Sequence, residues 1–525
     1  MPDARLLVEL SDTSRIELSE VLGALSVVAD LGVGAPAETG IGAALLAGRL
    51  GRRMGVPEAE CANLFYASLL RFIGCSVAVP ETIGLSLGDV HGYQRALALA
   101  DLGNREDILA RLDAEMAIDQ PAADRRASID TIGGLLDDVE VMVGVSKSHC
   151  DLAAQLARDV GLPPAVPEAL GQVYERWDGR GLPDGTGREA LSLAARVLHV
   201  TTAFELHRRT LGFDSALDQI KTRRGGQFDP EVCDAVTAAP AELVQGLDTG
   251  TLLDLYLDEA PGSLSVDGDQ IADVARACGH NVDHRSVYTL GHSEGVADLA
   301  ARAADAADLS EDAREKLRIA GYFHDIGRVG ISSAIWDKPG PLTRAERARV
   351  EQHTFLTDDI LRTSPALATF ATLASSAHER LHGQSYHRRL ETPDLLGQLL
   401  AAADTYHAMR ERRPWRDSLS EDAAADGLLK EANEDRLDRR AVQAVLDTVG
   451  GRRQGRSALP SNLSKREAEV LCLLAQGMTN RQIGDELFIS EKTVENHVGH
   501  VYDKIGSRGR AAAAMFAVKH GLCAK

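Results

Sequence analysis

The residues of this 525-residue chain best placed to do chemistry are histidines and aspartates in its second half. His324 and Asp325 are adjacent in GYFHDIGRVGI. On a helix, neighbouring side chains diverge by about 100°, so the pair can grip one divalent ion from two sides, or Asp325 can bridge two ions through its two oxygens. His292 lies upstream, His353 downstream, His378 follows in AHE and Asp404 in AAADTYHAM. Imidazole and carboxylate donors together suit a divalent transition metal such as Fe, Mn or Zn. Arg328, one turn beyond His324, can present a cation to a phosphoryl group. A second set lies near the C-terminus, where Lys492, Thr493, Asn496, His497 and His500 are left for the outer face of a helix whose Val494, Val498 and Val501 turn inward.

Helices must position both sets. Apolar residues return every three or four positions through Gly295–Ala307 and Asp312–Phe323. In the tail, Ser464 with Glu467 and Thr479 with Gln482 read as capping boxes, and Gly477 stops the first helix. A second helix is expected over Asn480–Leu487, then a turn at Phe488–Ile489, and a third helix over Glu491–Ile505 capped by Ser490. Val470, Leu474, Ile483, Leu487, Val494, Val498 and Val501 would form its small core, giving a helix-turn-helix. With 44% hydrophobic but only 4% aromatic residues, the larger cores must be built from Ala, Leu, Val and Ile. The expected fold class is all-α. Stretches rich in Pro, Gly and Asp or Arg at 240–268 and 450–463 read as joints and divide the chain into 1–245, 260–450 and 458–525.

The two large blocks repeat one another. His149–Gly179 lies over His353–Gly383 with Glu-Arg and the closing Gly coincident, and Leu64–Gly74 lies over Leu317–Gly327. In the first copy Arg71–Phe72 stands at the His-Asp position, and Thr39 and Thr202 fall near the positions of His292 and Asp404, so metal chemistry is excluded there.

The formal net charge of −21 excludes a protein that coats nucleic acid or anionic membrane by bulk charge. From Leu459 onward nine Lys and Arg face seven Asp and Glu, so polyanion binding is confined to the tail. Seven scattered cysteines without a CxxC pair fit reduced thiols. The acidic start MPDARLLVELSDTSRIELSE is unlike a signal peptide, and a cytoplasmic location without membrane contact is expected.

The tail resembles the LuxR-type DNA-binding domain almost continuously over about 460–523. The resemblance implies that the third helix enters the major groove and that the fourth, about Arg510–His520, mediates dimerisation. Lys492 and Thr493 would then hold phosphates, and Glu495, Asn496 and Gly499 would face the bases of double-stranded DNA, with Gly499 too short to reach a base edge.

The block 285–450 resembles the HD phosphohydrolase superfamily and its HD-GYP branch of cyclic dinucleotide phosphodiesterases, on HDIGRVGI…KPGPLT…E…H. The minimal ligand set maps onto His292, His324, Asp325 and Asp404, which implies about one metal per chain. His353 and His378 match further ligands of the branch, with Asp325 and Arg328 in the catalytic positions. Ala377 replaces a paired histidine, Tyr288 stands where a third metal's Glu would be, and the substrate loop reads His382-Gly-Gln-Ser-Tyr-His387. The first copy keeps the loop that the second has lost, Glu175-Arg-Trp-Asp-Gly-Arg-Gly-Leu-Pro-Asp-Gly185, with Leu182 in place of its Tyr. Together these imply a homodimeric DNA-binding transcriptional regulator with two HD-GYP-like units that sense a phosphorylated small ligand, a cyclic dinucleotide by family analogy. The alternatives are a metal-dependent phosphodiesterase carrying a DNA-binding module, and inert HD folds that regulate through protein contacts.

Overall fold

The computed structural model describes residues 16–76, 84–248, 252–261, 265–266, 268–383, 385–450, 461, 463–487, 489–506, 509–520 and 522. Their regular structure is helical, apart from a two-residue antiparallel pairing of Ile16–Glu17 with Ser265–Val266 and two isolated bridges. Among the described residues no helix is long and apolar enough to cross a membrane.

The first copy is built on α1 (Leu18–Gly32), α2 (Thr39–Arg53), α3 (Glu58–Leu69), α4 (Val139–Asp159), α5 (Ala165–Gly171) and α6 (Leu193–Leu211). The second uses α7 (Gly268–Asp283), α8 (His292–Ala306), α9 (Glu311–Phe323), α10 (Arg344–Arg362), α11 (Pro365–Ala374) and α12 (Leu395–Arg410). Within each copy the second helix packs on the third and on the last, α2 on α3 and α6, and α8 on α9 and α12. The helix starts share a device. Glu38 and Gly291, each immediately before a helix, are left-handed (φ 65° and 79°). Buried carboxylates of Asp30 and Asp283 then accept backbone N–H groups of Gly40 and Ser293. Thr39 therefore opens α2 as His292 opens α8.

Local capping explains where the site helices begin. Ser310 accepts from Ala313 N, Thr343 and Glu346 form a capping box, and Asp394 accepts from Gly397 N. Their apolar faces, including Leu317, Phe323, Ile360, Leu399 and Leu400, join one continuous core that runs from Leu18 to Val445 and spans both copies. The described part of 240–268 is not a free linker. Leu252 and Tyr256 are fully buried in that core, and the Tyr256 hydroxyl donates to Ser19 O. The first copy also carries helices at Val90–Leu99, Arg105–Glu115 and Ala122–Leu136, which close a small core of their own around Ile108, Leu112, Met116 and Ile132.

The tail forms α13 (Lys465–Ala475), α14 (Asn480–Leu487), α15 (Glu491–Ile505) and α16 (Arg510–Lys519). Both capping boxes form, and Ser490 accepts from Thr493 N. Val470, Leu474, Ile483, Val494 and Val501 are buried, with Leu487 and Val498 packed at the edge. Helix α16 packs on α13 and also meets α4 of the first copy. Phe488, expected in the turn, lies outside the described residues, as do Gln384 of the substrate-loop position and most of 450–463.

Candidate metal centre and DNA-reading face

The fold brings all six expected ligands together. His292 opens α8, His353 sits inside α10 and Asp404 inside α12. Two positions differ from the expected helical setting. His324 caps the C-terminal end of α9, just beyond Phe323, and Asp325 precedes a 3-10 turn, Ile326–Gly330, so the dipeptide follows a helix end rather than lying within a helix. His378 lies in a turn beyond α11, because that helix ends at Ala374.

The donors fall into two adjacent groups, His292 with His324 and Asp404, and Asp325 with His353 and His378. His292 Nε2 is 3.3 Å from both His324 Nε2 and Asp404 Oδ1. Asp325 faces both groups: Oδ2 is 3.6 Å from the Nε2 atoms of His292 and His324, and Oδ1 is 3.5 Å from His353 Nε2. His378 Nε2 reaches Asp404 Oδ2 at 4.0 Å, and its ring stacks on Tyr386.

Hydrogen bonding fixes what each ring offers. His324 Nδ1 donates to Gly321 O at 2.7 Å and His353 Nδ1 to Val350 O at 2.5 Å, and His292 Nδ1 is 3.0 Å from Glu411 Oε2. His324 and His353 thus turn Nε2, with its lone pair, into the centre, and His292 turns its Nε2 there beside Asp404. His353 Nε2 is buried there without a hydrogen-bond partner. Two buried carboxylates with ring nitrogens converging on them fit a cation.

The electrostatics agree. Burial would raise Asp325, but His324, Arg328, His353 and His292 together hold its carboxyl well below the usual range. Burial would lower His292, yet Glu411 and Asp404 outweigh it and push the ring up to about 10. Burial pushes His378 down to about 3. Arg328 is already engaged, donating to Asp325 Oδ2 at 2.8 Å with its guanidinium carbon 4.0 Å from the centre of the Trp336 ring.

Two neighbours were not singled out from the sequence. His407 and Glu411 follow Asp404 at three and seven residues, the spacing of one helical face, which is the signal that points to them. Glu411 Oε1 is 3.2 Å from His407 Nδ1, and Glu411 Oε2 accepts from Arg413 at 2.6 Å.

The first copy has no such set among its described residues. Arg71 lies over the Tyr174 ring, whose hydroxyl is 2.9 Å from His149 Nδ1, and Thr202 is buried. In the loop it retains, Arg176 pairs with Asp178 and Asp101 and Arg180 with Asp178, and outside the loop Arg196 pairs with Asp229.

In the tail, Lys492 projects from α15 with its side chain 79% exposed and its ammonium 2.9 Å from Glu495. Asn496, Gly499 and His500 are exposed on the same helix, while Thr493 and His497 are half-buried. The Thr493 hydroxyl lies 2.7 Å from that of Ser490.

Sequence comparison matches an HD domain to residues 144–232 and 275–441, and the luxR family of bacterial regulatory proteins to residues 461–517. A 3'3'-cGAMP-specific phosphodiesterase of Vibrio cholerae is 28% identical over 413 residues, covering 78% of this chain and 89% of the relative. The transcriptional regulatory protein LiaR of Bacillus subtilis is 41% identical over 90 residues, 17% of this chain and 42% of LiaR. The crystal structure of a cyclic GMP-AMP-specific phosphodiesterase from V. cholerae superposes with a TM-score of 0.58 at 25% identity, covering 83% of this chain and 99% of that one. The HD match in two segments agrees with the repeated helix order, and the chain is an HD-domain protein that carries a C-terminal DNA-binding module of LuxR type.

Proposed function

We propose that the chain is a dimeric transcriptional regulator whose second HD unit holds a divalent transition metal and takes a phosphorylated small ligand of the cyclic-dinucleotide class. The observation that carries this reading is the convergence of the Nε2 atoms of His292, His324 and His353 on the carboxylates of Asp325 and Asp404, with each Nδ1 committed outward. His292, His324, Asp325 and Asp404 supply four donors for one ion, and that position fills first. A cation held there would draw charge from a phosphoryl oxygen of the ligand. The chain's own part is to keep the rings aimed through their Nδ1 bonds, to hold Asp325 ionised through Arg328, and to pack Trp336 against Arg328 and the His353 ring. The tail reads DNA through α15, with Lys492 and Thr493 on phosphates, Glu495 and Asn496 towards the bases, and His497 among the DNA-contacting residues.

A phosphodiesterase is the second reading, and the second donor group favours it: Asp325 turns one oxygen to each group, as a carboxylate shared by two ions would. Equilibrium dialysis of the metal-loaded full chain with 3'3'-cGAMP and with cyclic di-GMP tests both. Saturable binding of intact ligand, lost after chelation, supports the sensor. Steady conversion to linear product supports the enzyme. Neither binding nor conversion of either compound overturns the ligand class.

A further inference from the structure

Three histidines aim Nε2 into the centre, but they are not held alike. His324 and His353 each donate Nδ1–H to the carbonyl three residues earlier, Gly321 O in the last turn of α9 and Val350 O in α10. His292 is the first residue of α8, and the carbonyl three residues before it, Thr289 O, accepts the backbone N–H of His292 at 2.9 Å. No preceding helical turn serves this ring. Glu411 fills that role from 119 residues away, with Oε2 at 3.0 Å from His292 Nδ1.

Glu411 is itself fixed. It ends α12 in an extended conformation, and Arg413 holds the same carboxylate at 2.6 Å while donating to Tyr288 O at 3.3 Å. A backbone bridge between Arg413 and Arg416 closes the turn. The trio His292, His407 and Glu411 could be read as a further ion site by its donors. That arrangement is disfavoured because His292 Nδ1 is spent on the hydrogen bond and the Arg413 guanidinium occupies the carboxylate.

We infer that Glu411 is a positioning residue for the metal centre, which accepts the Nδ1–H of His292 and so holds Nε2, the ligand atom, towards His324 and Asp404. An anionic partner also makes the ring a better donor than a carbonyl does. The inference rests on the metal reading proposed above, and the trio Asp404, His407 and Glu411 along one helical face is its sequence signature.

The test uses the full chain reconstituted with cobalt(II), comparing the unmodified protein, Glu411→Gln and Glu411→Ala. Cobalt affinity is measured by competition with a chelator, and the visible absorption of bound cobalt reports the ligand geometry. Glu411→Ala is expected to bind roughly 10- to 100-fold more weakly with an altered spectrum. Glu411→Gln keeps an acceptor oxygen and is expected to fall between the two. Melting of the metal-free proteins reports folding, and if Glu411→Ala unfolds, Glu411→Gln decides alone: weaker binding with a changed spectrum supports the role. Unchanged affinity and spectrum in a folded variant, with cobalt bound by the unmodified protein, overturn this inference and leave the metal reading standing. No cobalt in the unmodified protein overturns both.

Discussion

Replacing Glu467 by Ala should loosen α15 of the LuxR-type module without touching the HD units. Its carboxylate is only 7% exposed and accepts from Ser464 N at 2.7 Å and Lys504 Nζ at 2.6 Å. The first bond is half of the capping box of α13, and the second ties α13 to the last turn of α15. Losing the cap costs about 1 kcal/mol. Lys504 is 36% exposed and regains water, so the ion pair adds only about 0.5 kcal/mol. A total of about 1.5 kcal/mol corresponds to roughly tenfold more frequent local opening. Hydrogen exchange on the full chain reads this directly: amides of α13 and α15 should exchange about tenfold faster, with α8 and α9 unchanged. Lys504 and the Ser464 N–H hold Glu467 down at about 2, below its ordinary 4.5. A depressed folded value means this contribution is full above 4.5 and fades as pH falls towards 2, and the Ala variant should lack that step. Equal protection in the variant and the unmodified chain, or loss spread over α8 and α9, would refute the coupling.

Lys492→Ala should weaken DNA binding across all sequences and lower the slope of log affinity against log salt by about 0.9, as measured by fluorescence anisotropy; an unchanged slope would remove Lys492 from the phosphate contacts. Residues 456–525 alone should bind DNA and 1–455 should not, and equal binding by the larger fragment would reassign the DNA surface. Burial pushes His199 and His207 down to about 4, below their ordinary 6.5. Both fold as neutral rings, so the first HD unit should be fully stable above 6.5 and lose about 1.4 kcal/mol per pH unit for each ring on acidification towards 4. Urea unfolding with equal midpoints at pH 5 and pH 7 would contradict this.

Features set by local chemistry were legible in the sequence. Asn480–Leu487 and Glu491–Ile505 follow from caps and apolar spacing that operate within a few residues, and both helices form with those bounds. Helix α8 starts three residues before the apolar periodicity does, because left-handed Gly291 makes the turn into it and periodicity carries no record of that. Tyr256 was hidden in a stretch whose Pro, Gly and Asp content reads as a joint, although its ring fills the core between distant helices. The candidate metal ligands stood out because His and Asp are conspicuous by type. Glu411 did not, since a carboxylate in an Arg-rich stretch reads as a surface pair until the fold brings His292 to it. The helices at 90–136 have no counterpart in the second copy and so were invisible to the repeat.

The metal content of the full chain, purified without chelators and measured by mass spectrometry, tests the central claim most directly. The account predicts about one transition-metal ion per unmodified chain and almost none in Asp325→Ala, since that residue faces both donor groups. An unmodified chain that stays metal-free after reconstitution with Fe, Mn and Zn would contradict it.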